Sequence, residues 1–368
     1  MKSILLGPPS ISNQDVAAVV RVLKSGQLSL GQETEKFEQE LAKFVGAKYA
    51  AATSSGTTAL HLAVVAGGIK AGDEVITSPF SFVASTNCFL YEKAVPKYVD
   101  INPQTFNLDV NKIEKAITRK TKAIVGVDIF GYPAEWEQIL AIAKKHRLLV
   151  IEDAAEALGA KYQGKKLGSL GHPTVFAFYP NKQMTTAEGG ALVTNDQSQY
   201  KLIKGLLNQG RGPNLNWLKH LYLGYNYRLT EIQAALGRSQ LKKLPRFLSK
   251  RNQVVKWYNQ RLVKVPGVIL MQANDPDHER SWFVYVVRLD KNIDRNKVIQ
   301  KLGNAGIPSK AYLPSIHLQP YMKPFGFKTG DFPVSESVSA STLALPFYAA
   351  MKESTVNQVC ETLKKVLK

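Results

Sequence analysis

Cysteine is scarce in this chain of 368 residues: Cys88 and Cys360 lie far apart and belong to no C-x-x-C motif. That excludes a disulfide framework and leaves two buried thiols in a reducing compartment as the expectation. Long apolar runs are missing as well, none approaching the ~18 residues a membrane span needs. The N-terminal stretch Met1-Lys2-Ser3-Ile4-Leu5-Leu6-Gly7-Pro8-Pro9 has too short an apolar segment for a signal peptide. A soluble, cytoplasmic protein is expected. Internal repeats and low-complexity segments are absent. Acidic residues are few: 29 Asp and Glu stand against 48 Lys and Arg, a formal net charge of +19. Nucleic acid, membrane surface and small anionic substrates all suit such a balance. The basic residues are spread along the chain, however. The densest stretch, from Lys242-Lys243 through Arg246, Lys250 and Arg251, has helical period. With no zinc-finger spacing and no RNA-binding signature, no metal and no nucleic acid are expected. Solvated basic faces, with mild steering of phosphate-bearing substrates, are the reading of the charge.

What is present is ordinary globular composition, 45% hydrophobic and 21% charged, at a length comfortable for two domains. Helical spacing at 16–23 and 34–44 precedes a strand-like run at 48–53. Further short β-rich runs at 74–77, 97–100, 123–127 and 148–151 are separated by helical stretches such as 109–117 and 134–145. This alternation predicts a mostly parallel sheet with helices on both faces. The runs at 175–178 and 191–194 flank a turn-rich stretch, which places antiparallel pairing there. A long helix is expected from Glu231, kinked or divided at Pro245. Beyond it, a strand at 282–287 and helices at 296–302 and 355–367 predict a smaller α+β domain. The expected division is 1–244 for a large domain and 245–368 for a small C-terminal one.

Four features follow one another along the chain. Ser54-Ser55-Gly56-Thr57-Thr58 joins a strand to a helix, and a small-residue turn opening a helix offers unpaired N–H groups and a positive dipole end to a phosphate. Pro79-Phe80-Ser81-Phe82 puts aromatics just past a strand, where one can stack on a planar ring. Val150-Ile151-Glu152-Asp153-Ala154-Ala155-Glu156 runs an apolar strand into carboxylates, at the end where open α/β sheets bind ligands. A protonated pyridine nitrogen is one partner a buried carboxylate there would take. Finally, Lys182 sits in the polar loop Tyr179-Pro180-Asn181-Lys182-Gln183-Met184-Thr185-Thr186-Ala187-Glu188-Gly189-Gly190, and a lysine in a pocket near another cation becomes a nucleophile toward aldehydes. Each feature alone has a bland explanation: an N-cap, a core aromatic, a second N-cap, a solvated lysine. Together they supply a phosphate cradle, a ring stack, a pyridinium partner and a Schiff-base lysine.

On these motifs the chain resembles the DegT/StrS-type sugar aminotransferases of aspartate aminotransferase fold type I. The likeness extends through Leu223-Gly224-Tyr225-Asn226-Tyr227-Arg228, Ser315-Ile316-His317-Leu318-Gln319-Pro320 and Leu345-Pro346. The resemblance implies the PLP-transferase fold: a large domain with a mostly parallel mixed sheet between helices, plus a smaller α+β domain. It implies pyridoxal 5′-phosphate (PLP) as cofactor, carried by Lys182, which later moves protons. It implies that Asp153 pairs with the pyridine nitrogen, Phe82 covers a ring face, and Gly56 and Thr57 bind the phosphate. Asn226 would reach the phosphate of a neighbouring subunit in a homodimer with shared sites, and His317 would face substrate. The implied reaction moves nitrogen from glutamate to a nucleotide-linked keto sugar during polysaccharide or glycan precursor synthesis.

Two positions depart from the family pattern. Ala177 stands where many members have a phosphate-binding serine, with Asn181 or Asn226 as candidate replacements. Glu156 stands where many have Gln or His donating to the ring oxygen, and glutamate donates only when protonated. A raised pKa at Glu156, or a different partner, is predicted. Rival readings are an aminotransferase for a cyclic non-nucleotide ketone, a dehydratase, which has histidine in place of the lysine, and a PLP-binding regulator without turnover.

Overall fold

In the computed structural model, which describes residues 4–212 and 219–368, the alternation of apolar runs becomes two sheets joined by one long helix. Met1, Lys2 and Ser3, the start of the N-terminal stretch read above, lie outside the described residues. The first sheet is built from β1 (Tyr49–Thr53), β2 (Glu74–Thr77), β3 (Val95–Tyr98), β4 (Thr121–Val127) and β5 (Leu149–Asp153). A small hairpin follows, β6 (Lys161–Tyr162) and β7 (Lys165–Lys166), and then β8 (Thr174–Ala177) and β9 (Gly190–Thr194) complete the sheet. Its strand order is β1-β9-β8-β5-β4-β2-β3. Strands β8, β5, β4, β2 and β3 are parallel, and β9 runs antiparallel to both β8 and β1. The fold is thus α/β with a mostly parallel mixed sheet between helices.

These strands read as nearly continuous apolar runs because helices bury both faces. Ala50, Ala52, Ile76, Ile124, Val150 and Val193 share one core with the helices Gln32–Val45 and Trp136–His146. The alternate residues Ala51, Val75, Val125, Ile151 and Leu192 share another with the helices Gly56–Ala66 and Gln197–Leu207. Both cysteines are free and buried.

The second sheet takes β10 (Val268–Leu270), β12 (Tyr285–Leu289), β13 (Lys310–Ala311) and β14 (Thr342–Leu345) in the antiparallel order β10-β12-β14-β13. The two-residue strand β11 (His278–Glu279) extends the β6–β7 hairpin instead. Helices Arg295–Asn304 and Glu353–Leu367 cover the second sheet through Val298, Leu302, Val356, Val359 and Leu363.

Two expectations differ from this arrangement. The helix Glu231–Leu262 is continuous, with Pro245 inside it, so proline does not divide the element. Proline removes one backbone donor, but Leu241, Leu244 and Phe247 around it are buried. The first half of the helix joins the large-sheet core and the second half, through Val254, Val255, Tyr258 and Leu262, joins the other. The strand expected at 282–287 begins only at Tyr285. Trp282 and Phe283 precede the ladder, and the Phe283 carbonyl and ring are used at the site described next. Among the described residues no helix is long and apolar enough to cross a membrane.

Candidate active site

The carboxyl ends of the parallel strands open on a cavity of about 390 Å³. Asp153 enters it as the last residue of β5, the strand between β4 and β8. Gly56, Thr57, Phe82, Glu156 and Lys182 line the same space, so four segments distant in sequence meet there.

Gly56 opens the helix Gly56–Ala66, capped by Ser55, whose hydroxyl accepts the Thr58 N–H at 3.1 Å. The N–H groups of a first turn have no intrahelical acceptor, and Gly56 and Thr57 of this turn line the cavity. The loop is tight because strand β8 presses on it. A Cβ at Gly56 would stand 2.7 Å from that of Ala177, and one at Gly190 would stand 2.4 Å from the Ser55 carbonyl oxygen. Ala177 lines the cavity as a methyl group facing this cradle. Asn181, three residues into the lysine loop, also lines it and is hydrogen-bonded to Tyr312, while its Oδ1 is buried without a hydrogen-bond partner. Phe82 stands on the rim, 59% exposed.

Asp153 is buried. The Ser85 hydroxyl donates to its Oδ2 at 2.6 Å and the Ala155 N–H to its Oδ1 at 3.1 Å. Ser85 is held in turn by Ser81 at 2.7 Å. Among the described residues no ion pair reaches Asp153. Burial pushes its carboxyl above the usual range, against the pull of Ser85, Ala155 and the Lys182 charge.

Lys182 Nζ lies 3.6 Å from Glu156 Oε1 and 4.1 Å from the centroid of the Phe283 ring. Glu156 Oε2 accepts the Phe130 N–H at 2.9 Å. Burial raises the Glu156 carboxyl despite Lys182 and that N–H. The raised carboxyl is the first of the two alternatives expected for Glu156. The lysine loop is clamped from behind by Arg251, which donates to the carbonyls of Lys182 and Phe283 at 3.0 Å each. No ion pair to a carboxylate accompanies this among the described residues, and burial pulls the guanidinium down to about 10. Gln183 binds the Glu156 carbonyl at 2.6 Å and the Ser281 carbonyl at 3.0 Å.

Two sequence candidates lie elsewhere. Asn226 is exposed and bridges to Asn208. His317 is buried, with Nε2 3.1 Å from Glu336 Oε1, in a box made with Tyr98, Phe327 and Phe332. Its ring is turned into this cluster and does not line the cavity. Residues shortly before it do contribute: Tyr312 and Leu313 form part of the wall. Ser85, Arg251, Phe283 and Tyr312 were not singled out from the sequence. Their positions carry no local motif, since each reaches the site from an element far from the lysine loop.

These residues fit a phosphorylated pyridine aldehyde. A buried carboxylate without a cation suits a protonated ring nitrogen, a glycine-tight helix start suits a phosphate, and a lysine within the same cavity suits an aldehyde carbon. Comparison with known proteins agrees. The sequence matches the model of the DegT/DnrJ/EryC1/StrS aminotransferase family over residues 9–364. It is 40% identical over 342 residues to GDP-perosamine synthase of Caulobacter vibrioides, covering 92% of this chain and 91% of that protein. It is 36% identical over 374 residues to the spore coat polysaccharide biosynthesis protein SpsC of Bacillus subtilis, covering 98% and 96%. Among solved structures, the PLP form of Spr1654 from Streptococcus pneumoniae superposes with a TM-score of 0.94 at 28% identity, over 99% of this chain and 98% of that one. The chain belongs to the DegT/DnrJ/EryC1/StrS aminotransferase family and is a PLP-dependent sugar aminotransferase of glycan biosynthesis.

Proposed function

We propose that this aminotransferase takes its amino group from glutamate and delivers it to a nucleotide-linked keto sugar, on the way to a polysaccharide or glycan precursor. The observation that carries the reading is the meeting of Lys182 and Asp153 in one cavity at the carboxyl end of β5. When bound, PLP acts as an electron sink for the substrate carbon next to nitrogen. The chain's part is positional and protolytic. Asp153 keeps a ring nitrogen protonated, the Gly56–Thr57 turn holds a phosphate, and Phe82 covers a ring face. Lys182 carries the cofactor and, once free, moves the proton between carbons. Glu156 faces the ring side of the cavity. His317 acts on the substrate side only indirectly, from its aromatic box a few residues after Tyr312 and Leu313 of the wall.

The same proposal extends to assembly. Asn226 is exposed on a segment whose Leu223 is 91% exposed, as expected of residues that reach a neighbouring copy in a homodimer with shared sites. We take the chain as a large unit of residues 1–244 and a small unit of 245–368 that share the helix Glu231–Leu262, working in the cytoplasm.

The test is an absorption spectrum of the protein with added PLP, before and after excess glutamate, for wild type and Lys182→Ala. A lysine-dependent visible band that glutamate bleaches is expected. Absence of that band in wild type overturns the reading, and a band that glutamate leaves unchanged removes glutamate as the donor.

A further inference from the structure

Glu156 meets Lys182 directly inside the cavity, where their side chains are 9% and 14% exposed. The two oxygens of the carboxylate are unequal. Oε2 is taken by the Phe130 N–H, which leaves Oε1 turned to the lysine at 3.6 Å. An ammonium has no electron pair to offer, so Lys182 has to lose a proton before it can attack an aldehyde. Water has little access here, and the other cavity carboxylate, Asp153, is held by Ser85 and Ala155 and makes no ion pair with Lys182 among the described residues. Building on the reading of Lys182 as the cofactor lysine, we propose that Glu156 is the base that receives the Lys182 proton during cofactor loading.

In this step one N–H bond of Lys182 breaks, its electron pair stays on Nζ, and the proton bonds to Glu156 Oε1. An ammonium–carboxylate pair becomes an amine–carboxylic acid pair with no change in net charge. The transfer also supplies the O–H that an ionised glutamate lacks, so the residue becomes a donor toward the cavity. The surroundings favour the neutral carboxyl: burial raises it first, and the neighbouring Asp153 adds to the rise, while Lys182 and the Phe130 N–H oppose them. Among the described residues, the other titratable or charged groups around the pair are Tyr179, Glu188 and Tyr312 on the cavity wall, Arg251 behind the lysine loop, and Arg280, which donates to the Phe130 carbonyl at 3.1 Å.

The experiment is rapid-mixing uptake of PLP by the apoprotein between about pH 6 and about pH 8, for wild type, Glu156→Gln and Glu156→Asp. In wild type the proton passes within the pair, and the rate is nearly flat across this range. Glutamine still accepts the Phe130 N–H but takes no proton, so the Glu156→Gln reaction depends on base from solution and its rate climbs with pH. Aspartate restores the flat profile at a lower rate. Parallel profiles for wild type and Glu156→Gln overturn the proposal. An infrared difference spectrum of wild type alone gives a test free of any variant's folding. A new protonated-carboxyl band on PLP uptake is expected, and its absence also overturns the proposal. Uptake by Lys182→Ala at the wild-type rate and with the wild-type spectrum sinks instead the underlying assignment of Lys182.

Discussion

At the scale of single residues, the phosphate cradle depends on one pair of small groups. Gly56 faces Ala177 so closely that any side chain at 56 collides with the methyl at 177. Gly56→Ala is expected to weaken PLP binding about tenfold or more, roughly 1.4 kcal/mol, because the turn must move off strand β8. Adding Ala177→Gly should return most of the loss. A titration of each apoprotein with PLP measures this, and a double variant no better than the single one would sink the account. Gly56, Thr57, Asp153 and Lys182 were legible because each belongs to a local pattern, a turn, a strand end or a loop. Arg251 was not. It lay within a stretch of helical period that read as solvated basic faces, and only the fold buries it against the carbonyl of Lys182. His317 belongs to a motif, but a motif gives no side-chain direction, and the aromatic box turns it away from the cavity.

At the scale of elements, the strand pair β4–β5 carries a second acidic pair behind the site. Asp128 follows β4 and gives Oδ1 to the Ala134 N–H and the Trp136 indole N–H at 2.8 and 2.9 Å. Glu152 in β5 gives Oε2 to the Thr174 hydroxyl at 2.6 Å, with His172 Nε2 at 2.8 Å. The remaining oxygens, Asp128 Oδ2 and Glu152 Oε1, are buried without a hydrogen-bond partner among the described residues, and a proton held between the two carboxyls would satisfy both. Burial first, and then Glu152, hold Asp128 well above the usual carboxylate range. The folded state thus keeps a proton that the unfolded chain releases. The resulting stability is fully present below the ordinary aspartate pKa and is lost as pH rises through the folded-state value. Asp128→Asn keeps a donor toward Glu152 and has no proton to lose. Its urea midpoint is expected to gain on that of wild type as pH rises from the ordinary aspartate range. Midpoints that stay in step across that range would count against the shared proton. The alternation of these strands was readable because both sheet faces are buried. Two-residue strands such as β11 and β13 were not, since a pair of residues has no period and is defined only by its partner.

At the scale of the whole molecule, apolar residues remain uncovered in two places. Val16, Val20 and Leu23 recur at helical spacing on the outer face of the helix Asn13–Ser25, and Leu223 stands free near Asn226. In the proposed homodimer, such surface would be covered by the neighbouring copy. Leu223→Asp or Val20→Asp is therefore expected to weaken self-association by one to two orders of magnitude, from about 1.5–3 kcal/mol for a buried aliphatic side chain. PLP retention should fall with it if Asn226 completes a neighbour's phosphate site. Sedimentation velocity with and without PLP reads both. A variant that stays as associated as wild type would remove this face from the interface.

The sequence by itself determined the α/β alternation, the order of phosphate turn, ring aromatic, carboxylate and lysine, and through these the family and its cofactor. Those signals are local: periodicity, turn chemistry and short motifs survive without knowledge of distant contacts. Only the tertiary structure decided that the helix through Pro245 is shared by both sheets and that Phe283 leaves its strand to lie beside Lys182. It also decided that Glu156 divides its two oxygens between Phe130 and the lysine. Each of these rests on contacts between residues far apart in the chain, where burial removes water as the alternative partner and makes a single arrangement win.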